Sequence, residues 1–337
     1  MITVFNLKNA FLIFKIILTN ILTTNTNLKV QIMKNLKPII YLAIVACFAT
    51  FRASAQEFYV RGGAGFVVES GKTEFNDADP NGLTQIQQST DITVAADGTT
   101  RVKSLNGTLG GGYKFNVTAG YMFNKYVGAE LGFNYFSGND KTIGKLTTPL
   151  LQSKETARIQ GLDIIPAVYI TPGFSKLNPY ARIGMIMTAA GTLDINTTVN
   201  QTNGGGPGTD IHVDAKSEVK SKFSVGFAGA LGLTYPISNK FQVFGEVEFK
   251  NFSIKSKSAE IREYRTTAVT NGQAILVPGQ QLADLPVSER KFTFSDNYTY
   301  NLGDDEDQGS PRKVPTQYVN TGGIGINVGI RYSLGNF

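Results

Sequence analysis

The chain of 337 residues contains one histidine, His212, with Asp210 and Asp214 two positions to either side. An imidazole oriented by a carboxylate is the base that nucleophilic hydrolysis needs, provided that it also touches a serine or cysteine held by the fold. No Ser-x-His constellation on a regular element accompanies His212, so the residue reads as a solvated loop histidine. Asp77, Asp79 and Asn81 set oxygen ligands at alternate positions before Gly82, the first half of a calcium loop and a weak metal candidate. The twelfth position is Gln88 rather than a bidentate Glu, and no helices flank it, which favours a solvated acidic turn. The run Asp304-Asp305-Glu306-Asp307 reads the same way. Gly110 to Gly112 and Gly204 to Gly206 lack the Lys-Ser/Thr of a phosphate loop. No catalytic residue, cofactor or further metal site follows from these residues.

Stepping along the chain at a period of two gives a stronger signal. Gly322 to Leu334 carries apolar residues at every even position from Ile324, with glycine or polar residues between them. The pattern recurs in Phe58–Val68, Tyr113–Phe123, Val127–Tyr135, Gly161–Ile170, Tyr180–Met187, Phe223–Tyr235 and Phe241–Lys250. Each segment supplies about the 9–11 residues that a tilted strand needs to cross hydrocarbon. Pro166 lacks an amide donor and suggests a bulge in the fourth strand. Three links are short, at Asn124-Lys125, Pro172 to Pro179 and Pro236 to Asn239. Four are long: Ser70 to Thr108, Gly138 to Lys154, Gly191 to Lys220 and Lys255 to Pro315. Such alternation, with 36 glycines and 36 Tyr plus Phe, predicts an all-β, eight-stranded antiparallel up-and-down transmembrane β-barrel with long external loops and short periplasmic turns.

The net charge of +6 carries no hint of nucleic acid once it is placed along the chain. Six basic residues, Lys8, Lys15, Lys29, Lys34, Lys37 and Arg52, precede the first acid, Glu57. The remainder holds 26 basic and 26 acidic residues. Residues 33–55 read as a signal peptide: Lys34 and Lys37, an apolar stretch from Pro38 to Phe51, then Ala53-Ser54-Ala55. Residues 1–32 read as an upstream extension from a misplaced start, leaving 56–337 as the barrel. Cys47 lies in the leader, where Ala46-Cys47 fits lipidation less well than Ala53-Ser54-Ala55 fits cleavage. The remainder has no thiol for disulfide or nucleophile chemistry.

Closure satisfies every backbone donor and acceptor in hydrocarbon. The charges within strands share the face opposite the apolar row: Arg61, Lys114, Glu130, Asp163, Arg182, Glu246, Glu248, Lys250 and Arg331. Five bases and four acids in a narrow lumen persist only if paired, so a plugged barrel is expected, with Arg61, Glu246 and Arg331 as one cluster.

Phe58 to Gly65 (F-Y-V-R-G-G-A-G) and Gly329-Ile330-Arg331-Tyr332-Ser333-Leu334 resemble the first and last strands of OmpA/OmpX-like porin-family outer-membrane barrels, and the resemblance covers Gln56 to Phe337. It implies residence in the cell outer membrane, contact with its lipid, and reading of the C-terminal strand by the barrel-insertion machinery. Phe337 is out of phase with Tyr332 and Leu334. The family range of envelope structure, adhesion and secretion implies a non-enzymatic role, with a surface protein or host ligand on the loops. The alternatives are a lipid A-modifying barrel enzyme, which would use a histidine beside a serine, and a small-solute channel.

Overall fold

The computed structural model describes residues 57–75, 89–297, 299 and 307–334. The expected extension 1–32, the signal peptide 33–55 with Cys47, the calcium candidates Asp77, Asp79 and Asn81, the acids Asp304 to Glu306, and Phe337 lie outside these residues.

Eight antiparallel strands close on themselves. The first five are Glu57–Glu69, Gly112–Met122, Val127–Gly138, Leu151–Ile170 and Asn178–Gln201. The sixth joins Thr209–Lys222 to Val225–Pro236, the seventh joins Phe241–Asn251 to Ser253–Thr270, and the eighth is Gly323–Ser333. Each strand pairs with the next, and the eighth returns to the first with Tyr59 opposite Ser333 and Glu69 opposite Gly323. Closure removes the unpaired edge that hydrocarbon would penalise.

Side chains finish the short turns. Asn124 Oδ1 accepts from the amides of Tyr126 and Val127 at 2.8 and 2.9 Å, and Asn178 Oδ1 accepts from Phe174 N–H at 2.9 Å. Ser238 Oγ accepts from Phe241 N–H at 3.2 Å. These short-range bonds satisfy amides that the ladder leaves unmatched.

The strands differ in height. The fourth and fifth have 20 and 24 residues, while the second and eighth have 11. A bilayer takes up about half of the longer ones, so the fourth to seventh strands rise out of the membrane as a sheet. Much of the sequence that reads as loop, from Gly191 to Lys220 and from Lys255 to Thr270, is therefore strand. In water the outward positions of that sheet are Thr, Asn, Asp and Lys, which gives it the composition of a loop.

Single-residue slips mark the exit from the membrane. Ala189 has no register partner between Leu162 opposite Ala190 and Asp163 opposite Thr188. Below it, Ile183 and Met185 are exposed to lipid; above it, the same odd parity turns Ile195 and Thr197 inward, where they are buried. The sixth strand does likewise at Lys222-Phe223, and the seventh slips at Lys257. A one-residue shift moves every later side chain to the other face. Pro166 keeps its pairing with Leu131 and the fourth strand runs without an extra residue, so the bulge expected there lies instead in the fifth strand, at Ala189.

The first and fourth links fold over the raised sheet. A hairpin, Thr90–Val94 with Thr100–Ser104, pairs in parallel with the strand Lys141–Thr147. Lys291–Ser295 pairs with the seventh strand and, in parallel, with Arg312–Pro315.

Candidate functional site

The inward face is layered from the periplasmic end upward. At the lower mouth Tyr169 and Tyr180 stack with centroids 4.9 Å apart, and the Arg331 guanidinium lies 3.6 Å over the Tyr59 ring. Arg331 Nη2 stands 3.6 Å from Glu57 Oε1. Arg331 is cross-strand neighbour to Arg61, so like charge drives the two apart, and it does not join Glu246 as the adjacency of the first, seventh and eighth strands suggests.

The next layer is a four-membered charge network. Arg61 Nη2 donates to Glu246 Oε2 at 2.7 Å and its Nη1 stands 3.6 Å from Glu130 Oε1. Arg182, from the far wall, donates through Nη2 to Glu246 Oε1 at 2.6 Å and through Nη1 to Glu130 Oε2 at 3.2 Å. The hydroxyls of Tyr59 and Tyr180 donate to Glu130 and Glu246, each at 2.7 Å, and Asn327 Nδ2 donates to Glu246 at 3.0 Å. Both carboxylates thus face two guanidiniums and neutral donors, the condition under which a buried ion pair survives its desolvation.

Above it, Lys114 Nζ pairs with Glu248 Oε2 at 2.5 Å. Asp163 and Lys250 are buried at this level, and Lys250 Nζ sits 4.7 Å over the Phe136 ring. All nine ionisable residues on the inward parity point into the barrel. Tyr59, Tyr169, Tyr180, Asn327 and Glu57 complete the set, and the alternating pattern flags the first four only as further inward positions.

Room for these long side chains comes from the sixth strand, whose inward positions are Gly226, Ala228, Ala230 and Gly232. A Cβ at Gly232 would collide with the Tyr180 ring, as one at Gly120 would with Tyr59. The glycines are seats for the tyrosines.

Beyond the charges the interior becomes apolar. Phe136, Ile143, Ile159, Ile195 and Val219 are buried together, with Phe294 and Val319 of the fourth link packed on them. Ile143, Ile195, Val219, Phe294 and Val319 also line a partly open chamber of about 180 Å³ under the covering loops.

The residues with possible chemistry stay apart. His212 donates from Nδ1 to Asn200 Oδ1 at 2.5 Å on the exposed sheet. Asp210 accepts from Asn203 N–H at 2.9 Å, and Asp214 pairs with Arg265 at 3.1 Å. Asp307 accepts from Gly309 N–H at 2.9 Å as a turn cap. Among the described residues no three His, Cys, Asp or Glu side chains gather as metal ligands would.

The sequence profile of the outer membrane protein beta-barrel domain matches residues 39–274. No curated protein matches the chain. Among solved structures, the outer membrane protein OprG from Pseudomonas aeruginosa is 14% identical over 84% of this chain and 98% of its own, with a TM-score of 0.36. The Outer Membrane Protein W of E. coli is 14% identical over 85% of this chain and 100% of its own, with a TM-score of 0.26. With most of the chain matched by the profile and its eight strands closed around an inward charge set, the protein belongs to the outer membrane protein beta-barrel domain family and resides in the cell outer membrane.

Proposed function

We propose that this protein is a non-enzymatic barrel with a closed lumen, acting in envelope structure or surface interaction through its raised sheet and loops. The observation that carries the reading is the tie of Glu246 and Glu130 to Arg61 and Arg182 across the barrel axis, with Lys114–Glu248 and an apolar layer stacked above it. Eight strands leave an interior that side chains of this size fill. An ion crossing it would have to break charge-assisted bonds and then traverse Phe136 and Ile159. Among the described residues His212 bonds Asn200 on the exposed sheet, an arrangement that fits a structural role for the imidazole. In this reading the partners are outer-membrane lipid on the outward rows, the insertion machinery at the last strand, and a surface protein or host ligand at the loops; nucleic acid has no part. Planar-bilayer recording tests it: no discrete current steps are expected, and steady single-channel openings would refute the closed lumen.

The chamber favours a second reading, in which the raised sheet holds a small apolar molecule. An enclosed cavity of about 150 Å³ lined by aliphatic and aromatic residues admits benzene; this chamber of about 180 Å³ is partly open and sets Glu74, Glu260 and Asn320 among its apolar walls. A fluorobenzene titration followed by fluorine NMR should show saturable binding, lost when Ala259→Leu fills the space. Unsaturable partitioning, identical in the variant, would leave the chamber without a ligand role.

A further inference from the structure

Four lysines stand on the outward face of the sixth and seventh strands where these leave the membrane: Lys220, Lys222, Lys255 and Lys257. Lys222 and Lys255 are direct cross-strand partners, and Lys220 is opposite Ser258, next to the slipped Lys257. Like charges directly opposite in an antiparallel pair are destabilising. Such a juxtaposition at the head of two long strands calls for an anion.

Position says which anion. Tyr235 and Phe241 begin the lipid-facing rows at the lower rim, and ten residues on are Val225 and Asn251, the number that crosses the hydrocarbon layer. Lys222 is three residues past Val225 and Lys255 four past Asn251, which sets both ammonium groups in the headgroup zone. Phe223, the next residue after Lys222, is 65% exposed to the acyl side, so ring and ammonium divide across the interface as amphipathic side chains do. Lys255 Nζ is also 5.3 Å from the Tyr318 ring, an aromatic of the kind that anchors at this depth.

Acids facing the patch from the packed elements fall short of neutralising it. Asp296, held by Thr316, is in electrostatic reach of Lys222 and Lys255. Glu218 is 4.0 Å from Lys220 but bonds Arg262 at 3.1 Å. Among the described residues, four ammonium groups and Arg262 outnumber these acids and Glu260, which bonds Arg262 at 2.6 Å.

We propose that Lys220, Lys222, Lys255 and Lys257 form a docking site for the phosphate groups of outer-leaflet lipid. The site fixes one side of the barrel to the surface glycolipid and sets its depth.

The test uses the full barrel in phosphatidylcholine vesicles, alone or with bisphosphoryl lipid A, and compares unfolding temperatures. Wild type should rise by several degrees with bisphosphoryl lipid A and by less with the monophosphoryl form. The rise should fall at least by half in Lys222→Gln/Lys255→Gln, and persist in Lys216→Gln, whose lysine sits higher and pairs with Glu263 at 2.9 Å. In phosphatidylcholine alone the double variant should be as stable as wild type or more so, because a repulsion is removed. An equal rise in the double variant, or none in wild type, overturns the proposal. The same rise from inorganic phosphate alone overturns the lipid assignment, and a double variant that is weaker without lipid A shows the lysines serving the fold instead.

Discussion

Removing Glu246 should destabilise the barrel more than removing any exposed acid. Its carboxylate accepts five hydrogen bonds, from Arg61, Arg182 twice, Tyr180 and Asn327. Glu246→Leu leaves two guanidiniums with only Glu130, and Glu248 at 3.7 Å from Arg182, to balance them. Breaking a buried pair by deleting one partner costs about 3–5 kcal/mol. At about 2–4 °C per kcal/mol for a domain of this size, unfolding should fall by roughly 10 °C. The assay is heat-modifiable gel mobility or circular dichroism in detergent at one scan rate, because barrel unfolding is governed by rate. Glu69→Gln is the control: the Glu69–Lys141 pair is 41% and 31% exposed, and an exposed pair is worth about 1 kcal/mol or less. Adding Arg182→Met to Glu246→Leu should restore part of the loss, since coupled partners are not additive. An unchanged transition in Glu246→Leu, or a double variant that loses the sum of both single losses, would refute the network.

Three further outcomes follow from named positions. Gly232→Val should lower the yield of folded barrel on detergent refolding, because its side chain takes the place of the Tyr180 ring; normal refolding would mean that the tyrosine has another seat. Burial, and next the neighbouring Glu218 carboxylate, raise the pKa of Asp194 on the raised sheet. A raised folded pKa means that its stabilisation is complete below the ordinary carboxylate value of about 3.9 and is lost as pH rises through the raised one. Hydrogen exchange in the Thr192–Gln201 segment should therefore quicken as pH rises through that window, after correction for the intrinsic rate, and Asp194→Asn should abolish the trend; a variant that keeps the trend assigns it elsewhere. Ala259→Leu should also raise the unfolding temperature slightly by filling the chamber, whereas a clear fall would show that the wall cannot accept the added volume.

The eight crossings were legible because lipid outside and charge inside write the alternation in its sharpest form, as in Phe241 to Lys250. The same parity assigned each ionisable residue a face and left its partner open. Arg182 reaches Glu246 across the lumen from a strand two positions away around the wall, a contact that neighbour order does not reveal. Arg331, by contrast, is adjacent to the cluster and is turned aside by Arg61 toward Glu57 and Tyr59. The raised sheet is not legible in the sequence because Thr192, Asp194, Asn196 and Thr198 look outward into water, so the segment has no greasy outer row to announce it. Leu193 and Ile195 alternate there all the same.

The unpaired Ala189 acts as a depth gauge written into the chain. Oil-loving letters keep their odd places on both sides of it, yet they answer to acyl chains below and to one another above. The boundary between the two solvents is thus encoded as a missed beat instead of a change of composition, and deleting that one alanine should close the ladder into an unbroken alternation in which Ile195 still faces inward.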